Sequence, residues 1–291
     1  MDLVADIEAE IEWIEGDVLD PESLERGMDS VDGVFHCAAF LGFEGKSSEK
    51  QLMRVNVDGT ANVVDAALSK SIPRLLHVSS IAALGRVEGE EDCLDETAIW
   101  KASDLNTAYA VSKHRAELEV HRGIAMGLDA VIVNPSLVMG PGRKGENTMQ
   151  IAEKLITGSI PVLPSGTTNV VDVEDVALGA LNAFRLGKTG ERYILSGHNL
   201  LWRDIVTQLA RALDVEPPSR HVSRPVMMFF ATISEFFGKV TRSTPLVTRE
   251  TARLSMSISC YDNTKAKTEL GCEFRSFDLT TARIASAFGV S

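Results

Sequence analysis

The sequence predicts an α/β fold in which a doubly wound parallel sheet is joined to a smaller, mostly helical region. Two observations indicate this: short apolar runs alternate with longer stretches of helical periodicity, and each connection is long enough to hold a crossover helix. Such units connect in a right-handed sense, which places helices on both faces of the sheet. Because ligands of these sheets bind beyond the carboxyl ends of the strands, polar residues directly after each strand are the candidate functional groups.

The predicted elements follow one another in a regular order. A short strand at Glu12–Ile14 ends at Gly16. Asp20 followed by Pro21 is typical of a helix start, because Asp can cap free N–H groups and Pro needs none in the first turn. Further strands are predicted at 33–37, 74–78, 130–133 and 192–195, with helices at 48–70, 107–126 and 174–184.

After Leu195 the pattern changes to helices with little strand signal, at roughly 201–213, 224–239, 246–255 and 277–288. We therefore expect two regions. Residues 1–135 and 171–197 form the parallel-sheet core, and residues 136–170 and 198–291 form a smaller region that binds the substrate.

Charge argues against nucleic acid as a partner. The net charge is −12, and residues 1–30 hold eleven Asp or Glu and one Arg, so the rest of the chain is nearly neutral. An acidic segment of this kind repels phosphate backbones.

No membrane span, metal site or disulfide is expected. The most apolar stretch, 225–240, contains Glu235 and Lys239 and is shorter than the ~20 residues that a span requires. The six histidines show no metal-ligand spacing, and the four cysteines form no C-x-x-C pair. Free thiols in a reducing compartment explain the cysteines most simply, so we expect a soluble cytoplasmic protein.

Tyr109 and Lys113 are the central candidate pair. On a helix, a spacing of four residues places the phenol and the ammonium on one face. A free phenol has a pKa of about 10, and a nearby ammonium lowers it, which would make Tyr109 a proton donor or acceptor at neutral pH. Taken alone, the pattern Y-x-x-x-K is also common on exposed amphipathic helices.

Two serines, Ser79 and Ser80, follow the strand that ends at Val78. A hydroxyl at that point could hydrogen-bond to a substrate oxygen and hold it beside Tyr109, although serine also suits an ordinary turn. The serines and the Tyr–Lys pair together are more specific than either feature alone.

Several further motifs occur in the order in which a known family carries them. They are Gly16-Asp17-Val18-Leu19-Asp20, His36-Cys37-Ala38-Ala39, Asn56-Val57-Asp58-Gly59-Thr60, the serine and Tyr–Lys motifs, Asn134-Pro135-Ser136-Leu137-Val138-Met139-Gly140-Pro141-Gly142 and Val171-Asp172-Val173-Glu174-Asp175. From about Glu12 onward the chain resembles the extended short-chain dehydrogenase/reductases of the NAD-dependent epimerase/dehydratase superfamily. It is most similar to the dihydroflavonol-reductase and 3β-hydroxysteroid-dehydrogenase-like branch.

The resemblance implies a Rossmann-type core that binds NAD or NADP, and it assigns roles to individual residues. In such enzymes a tyrosine assisted by a lysine exchanges a proton with the substrate while the nicotinamide exchanges a hydride, and these roles fall on Tyr109 and Lys113. Counted back from Gly85, Ser80 matches the catalytic serine and Ser79 flanks it. The positions that match cofactor contacts are Asp17, Val18, Ala38, Ala39, Asn56, Lys113, Pro135 and Val138.

Asn56 is explained almost as well by helix packing as by a role at the cofactor site. Asn134 stands where many sugar-modifying relatives carry arginine, which favours a substrate other than a nucleotide sugar.

Members of the family begin with a strand, a G-x-x-G-x-x-G turn and a helix, which together hold the pyrophosphate. Residues 1–11 contain no glycine. The resemblance therefore implies that about 40 family residues precede those present here, that cofactor binding is impaired without them, and that NAD and NADP cannot be distinguished. The segment 140–145 has the spacing G-x-G-x-x-G, but Pro141 has no N–H to offer a phosphate, so we assign it to the substrate side.

The expected function is that of an NAD(P)-dependent oxidoreductase acting on a hydroxyl or ketone of a small, fairly apolar molecule. A sugar epimerase or dehydratase uses the same three residues and is the alternative in the same class. A non-catalytic fragment, or a binding module on a reductase scaffold, is the alternative in another class.

Relatives dimerise through helices that match 48–70 and 107–126, so a homodimer is expected by resemblance. Met227, Met228, Phe229 and Phe230 either line an apolar pocket or pack a helix.

Overall fold

A parallel sheet forms the centre of the computed structural model, which describes residues 10–41, 46–86, 92–146, 148–160, 163–218, 225–229, 231–233 and 249–290. The strands in the described residues are β1 (Val34–His36), β2 (Leu75–Val78), β3 (Ala130–Pro135), β4 (Leu137–Met139), β5 (Thr167–Asp172), β6 (Arg192–Leu195) and β7 (His198–Leu201). The central sheet has the order β1-β2-β3-β6, and all its pairings are parallel.

Helices connect these strands. They are α1 (Pro21–Gly27), α2 (Lys46–Leu52), α3 (Gly59–Ser69), α4 (Ala108–Ala125), α5 (Met149–Ile156), α6 (Val173–Leu186), α7 (Trp202–Ala212), α8 (Arg249–Met256), α9 (Thr264–Leu270) and α10 (Phe277–Ala287). A π-helix, Met53–Asp58, joins α2 to α3, and a 3₁₀ helix, Ile81–Leu84, follows β2. The prediction of a parallel α/β fold is confirmed.

Helices cover both faces of the central sheet because its strands present apolar residues on both sides. Leu75, Ala130 and Ile132 pack against α3 and α4, whereas Leu76 and Val131 pack against α6 and α9. Alternate residues of a strand point to opposite faces, and a parallel sheet must bury both. The near-continuous apolar runs of β2 and β3 follow from this requirement.

Local signals correctly predicted where several helices begin. Asp20 accepts a hydrogen bond from the backbone N–H of Glu22 at 3.1 Å, with Pro21 in the first turn of α1. Thr107 caps α4 by accepting a bond from the N–H of Ala110 at 3.0 Å. Such caps satisfy N–H groups that have no partner within the helix.

The strand predicted at Glu12–Ile14 does not form. These residues have no regular secondary structure, and the side chains of Trp13 and Ile14 are 68% and 52% exposed. Within the described residues, β1 is the edge of the central sheet on this side and pairs with β2 alone. An extended segment is stable only when a neighbouring strand satisfies its backbone groups, and no such neighbour lies beside Glu12–Ile14 in the described part of the chain.

A second sheet holds three short strands that the sequence did not predict. Strand β5 pairs in parallel with β4 and antiparallel with β7. The segment 136–170, which was expected to be rich in loops, thus contains β4, α5 and most of β5. An apolar cluster that includes Met139, Val170 and Ile205 binds this sheet to α5, α7 and α10. Strands of three to six residues carry too few alternating positions to be recognised before their partners are known.

Two cysteines are paired, which corrects the expectation of four free thiols. Cys93 and Cys260 form a disulfide with their Cα atoms 4.4 Å apart, across a sequence separation of 167 residues. Beside it, the N–H of Leu94 donates to the carbonyl of Cys260 at 2.9 Å, and Leu94 bridges to Tyr261. Cys37 and Cys272 are free. Spacing along the chain could not show this pairing, because the fold alone brings the two segments together.

In the part of the chain that the structure describes, no helix is long and apolar enough to cross a membrane. The same residues contain no group of three or more His, Cys, Asp or Glu side chains arranged to hold a metal ion.

Candidate functional site

The candidate site lies at the carboxyl end of β2, where the 3₁₀ helix begins. Ser80 caps that helix by accepting a bond from the N–H of Ala82 at 3.2 Å, and its hydroxyl lies near enough to the phenol of Tyr109 to affect the pKa of that phenol. Ser79 is 6% exposed, and its hydroxyl has no partner among the described residues. The structure therefore brings Ser80, and not Ser79, to Tyr109.

Tyr109 lies in the first turn of α4, half-buried beside Ser80. Burial raises its pKa above the ordinary value, and the hydrogen bond from Ser80 opposes that rise. This corrects the expectation that Lys113 lowers the pKa of Tyr109. The Lys113 ammonium instead donates to the carbonyl of Val78 at 2.9 Å, because its long side chain reaches the end of β2.

Lys113 is almost completely enclosed, with only 2% of its surface exposed. Burial lowers its pKa to about 8, against opposing effects of the nearby Glu117 and Cys37. Desolvation disfavours the charged form of an amine, and the neighbouring acidic groups favour it. At neutral pH the ammonium form therefore predominates, so Lys113 places a positive charge one helical turn from Tyr109.

Two buried histidines lie side by side below Lys113. His36 and His77 are paired across β1 and β2, with their ring centroids 5.1 Å apart. Burial, reinforced by the charge of Lys113, lowers the pKa of His36 to about 4 and the pKa of His77 well below its usual value. His36 Nε2 lies 3.0 Å from the Thr60 hydroxyl, whereas neither ring nitrogen of His77 has a partner among the described residues. Both rings are neutral at pH 7.

Asn56 connects the loop after β1 to α4. Its amide exchanges two hydrogen bonds with the backbone of Phe40, at 2.7 and 2.9 Å, and donates to Ser112 Oγ at 2.9 Å. Ser112 in turn donates to the carbonyl of Tyr109 at 2.8 Å. Asn56 lies in the π-helix, a geometry often found at functional sites. Asn56 thus packs against α4 and holds the loop after β1, while its role at the cofactor site stays a prediction.

The remaining predicted cofactor contacts lie at both ends of this edge of the sheet. Ala38 and Ala39 are exposed in the loop after β1, and Asp17 precedes α1 with its carboxylate accepting a bond from the N–H of Leu19. Val18 packs so closely on Gly59 that a Cβ on the glycine would lie 2.7 Å from the valine side chain. This contact explains the glycine at the start of α3.

Pro135 and Val138 follow one another after β3. Pro135 pairs with Leu195 at the end of the sheet, and Val138 lies half-buried in β4. Between them Ser136 is 8% exposed, and its hydroxyl has no partner in the described residues. Sequence reasoning missed Ser136, whose one signal was its position directly after a strand.

The first glycine of the segment 140–145, Gly140, has a packing explanation. A Cβ on Gly140 would meet the side chain of Val173 at 2.4 Å, and the φ of Gly140 is 157°. The glycine therefore lets the end of β4 pass close to the start of α6. This supports the assignment of the segment to the substrate side and not to a phosphate site.

Met227 packs with Ala231 and Ala252 in a small apolar cluster, against which Met228 also lies. Phe229 is 63% exposed, and Phe230 lies outside the described residues. The methionines thus fit the packing interpretation.

The donor set at this edge fits the nicotinamide end of a dinucleotide. The buried ammonium of Lys113 and the hydroxyls of Ser80 and Ser136 all lie at or just beyond the carboxyl ends of β2 and β3, where ligands of parallel sheets bind, and the Ser136 hydroxyl has no partner among the described residues. Because the pKa of Tyr109 is raised, its phenol is protonated at neutral pH and can donate a proton. Glu117 lies one turn beyond Lys113 on α4 and is 2% exposed. No local feature of the sequence pointed to this residue.

Comparison with known proteins agrees with this geometry. Residues 3–196 match the model of the NAD dependent epimerase/dehydratase family. The chain is 34% identical over 266 residues to a protein of Synechocystis sp. named "Putative dihydroflavonol 4-reductase", which covers 90% of this chain and 77% of that protein. It is 31% identical over 204 residues to cinnamoyl-CoA reductase 2 of Arabidopsis thaliana, covering 67% of this chain and 60% of that protein.

Among solved structures, the crystal structure of gox2253 is similar, with a TM-score of 0.83 and 32% identity, and covers 98% of this chain and 86% of that one. The predicted Rossmann-type fold, the oxidoreductase class and the NAD(P) cofactor class are confirmed by the family and its reductase members. This chain belongs to the NAD dependent epimerase/dehydratase family, the extended short-chain dehydrogenase/reductases.

Proposed function

We propose that this protein is a reductase that exchanges a hydride between NAD(P)H and a ketone, or the corresponding alcohol, of a small and fairly apolar substrate. The observation that carries the proposal is the position of Tyr109 beside Ser80, one helical turn from the buried ammonium of Lys113. Similarity to proteins named dihydroflavonol 4-reductase and cinnamoyl-CoA reductase supports a substrate of this kind. Asn134 supports it also, since it offers no positive charge to a nucleotide sugar.

Each side chain has a distinct task in this reaction. Ser80 orients the substrate oxygen by hydrogen bonding, and Tyr109 donates its phenolic proton to that oxygen. Lys113, whose ammonium reaches the carbonyl of Val78, would hold the nicotinamide ribose beside Tyr109. The nicotinamide, when bound, supplies or accepts the hydride. In the oxidative direction the same three residues act in reverse.

The cofactor would be held by residues on both sides of the carboxyl edge of the sheet. We assign the ribose beside the nicotinamide to Lys113, with Pro135 and Val138 lining the nicotinamide. Ala38 and Ala39 would offer backbone in the loop that Asn56 supports. We assign the adenine contacts to Asp17 and Val18, next to α1.

A cofactor titration tests the proposal first. NADPH and NADH are titrated into the purified chain while protein fluorescence and the melting temperature are followed, and turnover is then measured on a panel of aryl and alkyl ketones. Saturable binding of the cofactor, followed by turnover of at least one ketone, is the expected result. Tyr109→Phe should reduce kcat by about 10²-fold or more and leave cofactor affinity largely intact.

Other outcomes identify the alternatives. Nicotinamide cofactor that co-purifies and is not released would favour a sugar epimerase or dehydratase. Binding without turnover on any ketone would favour a binding module. Absence of binding up to millimolar cofactor in a folded sample would refute the proposal for this chain.

Three further expectations belong to the proposal. We assign the substrate region to 136–170 and 198–291 and the cofactor core to 1–135 and 171–197. A homodimer through α3 and α4 is supported by the exposure of Leu118 and Met126, at 52% and 61%, and light scattering of the purified protein tests it.

The Cys93–Cys260 disulfide argues against the proposed cytoplasmic location, because disulfides are rare in reducing compartments. Thiol labelling of protein quenched in acid from cells decides whether the pair is oxidised there.

A further inference from the structure

Glu117 is a buried carboxylate that the proposed reaction does not use directly. It lies four residues after Lys113 on α4 and is 2% exposed. Its Oε1 accepts a hydrogen bond from Asn134 Nδ2 at 2.6 Å, and its Oε2 lies 3.4 Å from Arg192 Nη1. A charge in the interior is tolerated only with such partners, so this arrangement needs an explanation.

Asn134 connects Glu117 to the candidate serine. Its Nδ2 also donates to the backbone carbonyl of Ser80 at 2.9 Å. Both partners of this amide group are acceptors, so the orientation of the Asn134 side chain is chemically determined. The two N–H groups thus tie the carboxylate of Glu117 to the residue whose hydroxyl meets Tyr109.

Arg192 fixes the opposite side of the carboxylate. Its guanidinium donates to the carbonyl of Glu96 at 3.0 Å and to that of Ala98 at 2.7 Å. These contacts hold the guanidinium in place, so Glu117 is held between β3 and the segment 96–98. A carboxylate fixed on both oxygens can serve as a rigid reference point for its neighbours.

Glu117 also acts on the charge of Lys113. The groups that influence Lys113 are Glu117 on its own helix, Cys37 after β1, and the histidines of β1 and β2. Both histidines are neutral at pH 7, and burial raises the pKa of the Cys37 thiol. Of this set, Glu117 is the acidic group that is paired with an arginine.

We propose that Glu117 is a positioning residue of the site: through Asn134 it fixes the backbone of Ser80, and it places a carboxylate one helical turn from the ammonium of Lys113. The inference rests on the proposed function for its consequence in turnover. Its structural and electrostatic content can be measured without turnover.

The first test is an NMR titration of the lysine ε-carbons in protein labelled at that position, with the Lys113 signal assigned from Lys113→Met. In the wild type we expect a midpoint of about 8. Glu117→Gln keeps the shape and the acceptor for Asn134 but removes the charge, so the midpoint should fall by about one pH unit. Glu119→Gln is the matched control, since Glu119 is on the same helix, pairs with Arg122 and should leave the midpoint unchanged.

If Glu117→Gln does not fold, the titration is made instead on the double variant Glu117→Gln/Arg192→Met, in which both charges of the buried pair are removed together. An unchanged Lys113 midpoint in a folded variant refutes the electrostatic half of the inference. If the wild type neither binds NADPH nor turns over, the proposed function fails, and this titration still decides what Glu117 does to Lys113.

The second test measures the link to Ser80 in turnover. Asn134→Leu should lower kcat by about ten-fold or more through misplacement of Ser80, with NADPH affinity and the Lys113 midpoint close to those of the wild type. In Glu117→Gln, by contrast, the pH above which activity falls should move down together with the Lys113 midpoint. An unchanged kcat in Asn134→Leu refutes the positioning half.

Discussion

Reduction of the Cys93–Cys260 disulfide should lower the melting temperature of the protein. The bond closes a loop across 167 residues. In the chain-entropy model, a disulfide that closes a loop of this length stabilises the folded state by about 5 kcal/mol, because it lowers the entropy of the unfolded chain. The stabilisation found for disulfides is typically about 2–4 kcal/mol. Unfolding entropy of about 2.1 cal/mol/K per residue, over 291 residues, makes each kcal/mol worth about 1.6 °C. The expected decrease is therefore about 3–7 °C.

The assay is differential scanning calorimetry of the wild type with and without dithiothreitol, beside Cys93→Ser. The variant should melt at the temperature of the reduced wild type and should not respond to dithiothreitol. Cys37→Ser, at a free thiol, is the control and should retain the full response. If oxidised and reduced wild type melt within about 1 °C of each other, the two cysteines are not bonded in the native protein and the reasoning is wrong.

The same bond should affect the site. Leu94, next to Cys93, leads into the segment whose carbonyl groups, at Glu96 and Ala98, receive the bonds from Arg192. Loosening this segment removes one of the two anchors of Glu117. Reduced protein should therefore show the lower Lys113 midpoint in the NMR titration, whereas Cys272→Ser, at a free thiol, should not under oxidising conditions.

Two further predictions concern stability. The pKa of His36 is lowered to about 4 in the folded protein, below its unfolded value of about 6.5, so the unfolded state binds the proton first as the pH falls. The contribution of His36 to the free energy of unfolding is thus fully present above about pH 6.5, and about 3 kcal/mol of it is lost as the pH falls towards 4. His77 adds a further loss in the same direction. Urea unfolding at several pH values should show this decrease, and His36→Gln should make it smaller. Gly59→Ala should lower the free energy of unfolding by about 1–3 kcal/mol, because the new Cβ would lie 2.7 Å from the side chain of Val18. Gly27→Ala is the control: its Cβ would meet nothing within 4 Å, so stability should change by no more than about 0.5 kcal/mol. Equal urea midpoints for the two variants would contradict the packing argument.

Much of the candidate site could be predicted from the chain alone. The motifs that contain Ser80, Tyr109 and Lys113 occupy fixed positions relative to a strand end and a helix face, and such positions depend on neighbours close in sequence. The same holds for the boundaries of α1, α4 and β6, which agree with caps and apolar runs that can be read locally. The choice of Ser80 over Ser79 came from counting within one motif, and the structure places the Ser80 hydroxyl at Tyr109.

The electrostatics of the site could not be predicted in this way. A spacing of four residues suggested that Lys113 lowers the pKa of Tyr109, yet burial raises it and the ammonium reaches Val78. Desolvation depends on everything packed around a group, and most of that packing comes from distant parts of the chain. Glu117 could not be recognised from the sequence for the same reason, because its partners Asn134 and Arg192 lie on strands β3 and β6, far from it in the chain.

What the sequence by itself determined is the four strands of the central sheet, several of the helices around them and the candidate residues of the site, since periodicity, caps and motifs are local. Only the tertiary structure decided which segments pair. It left Glu12–Ile14 without a strand partner, assembled β4, β5 and β7 into a second sheet, and joined Cys93 to Cys260. Pairing, burial and pKa all depend on contacts between residues far apart in the chain, and for these contacts no local pattern exists.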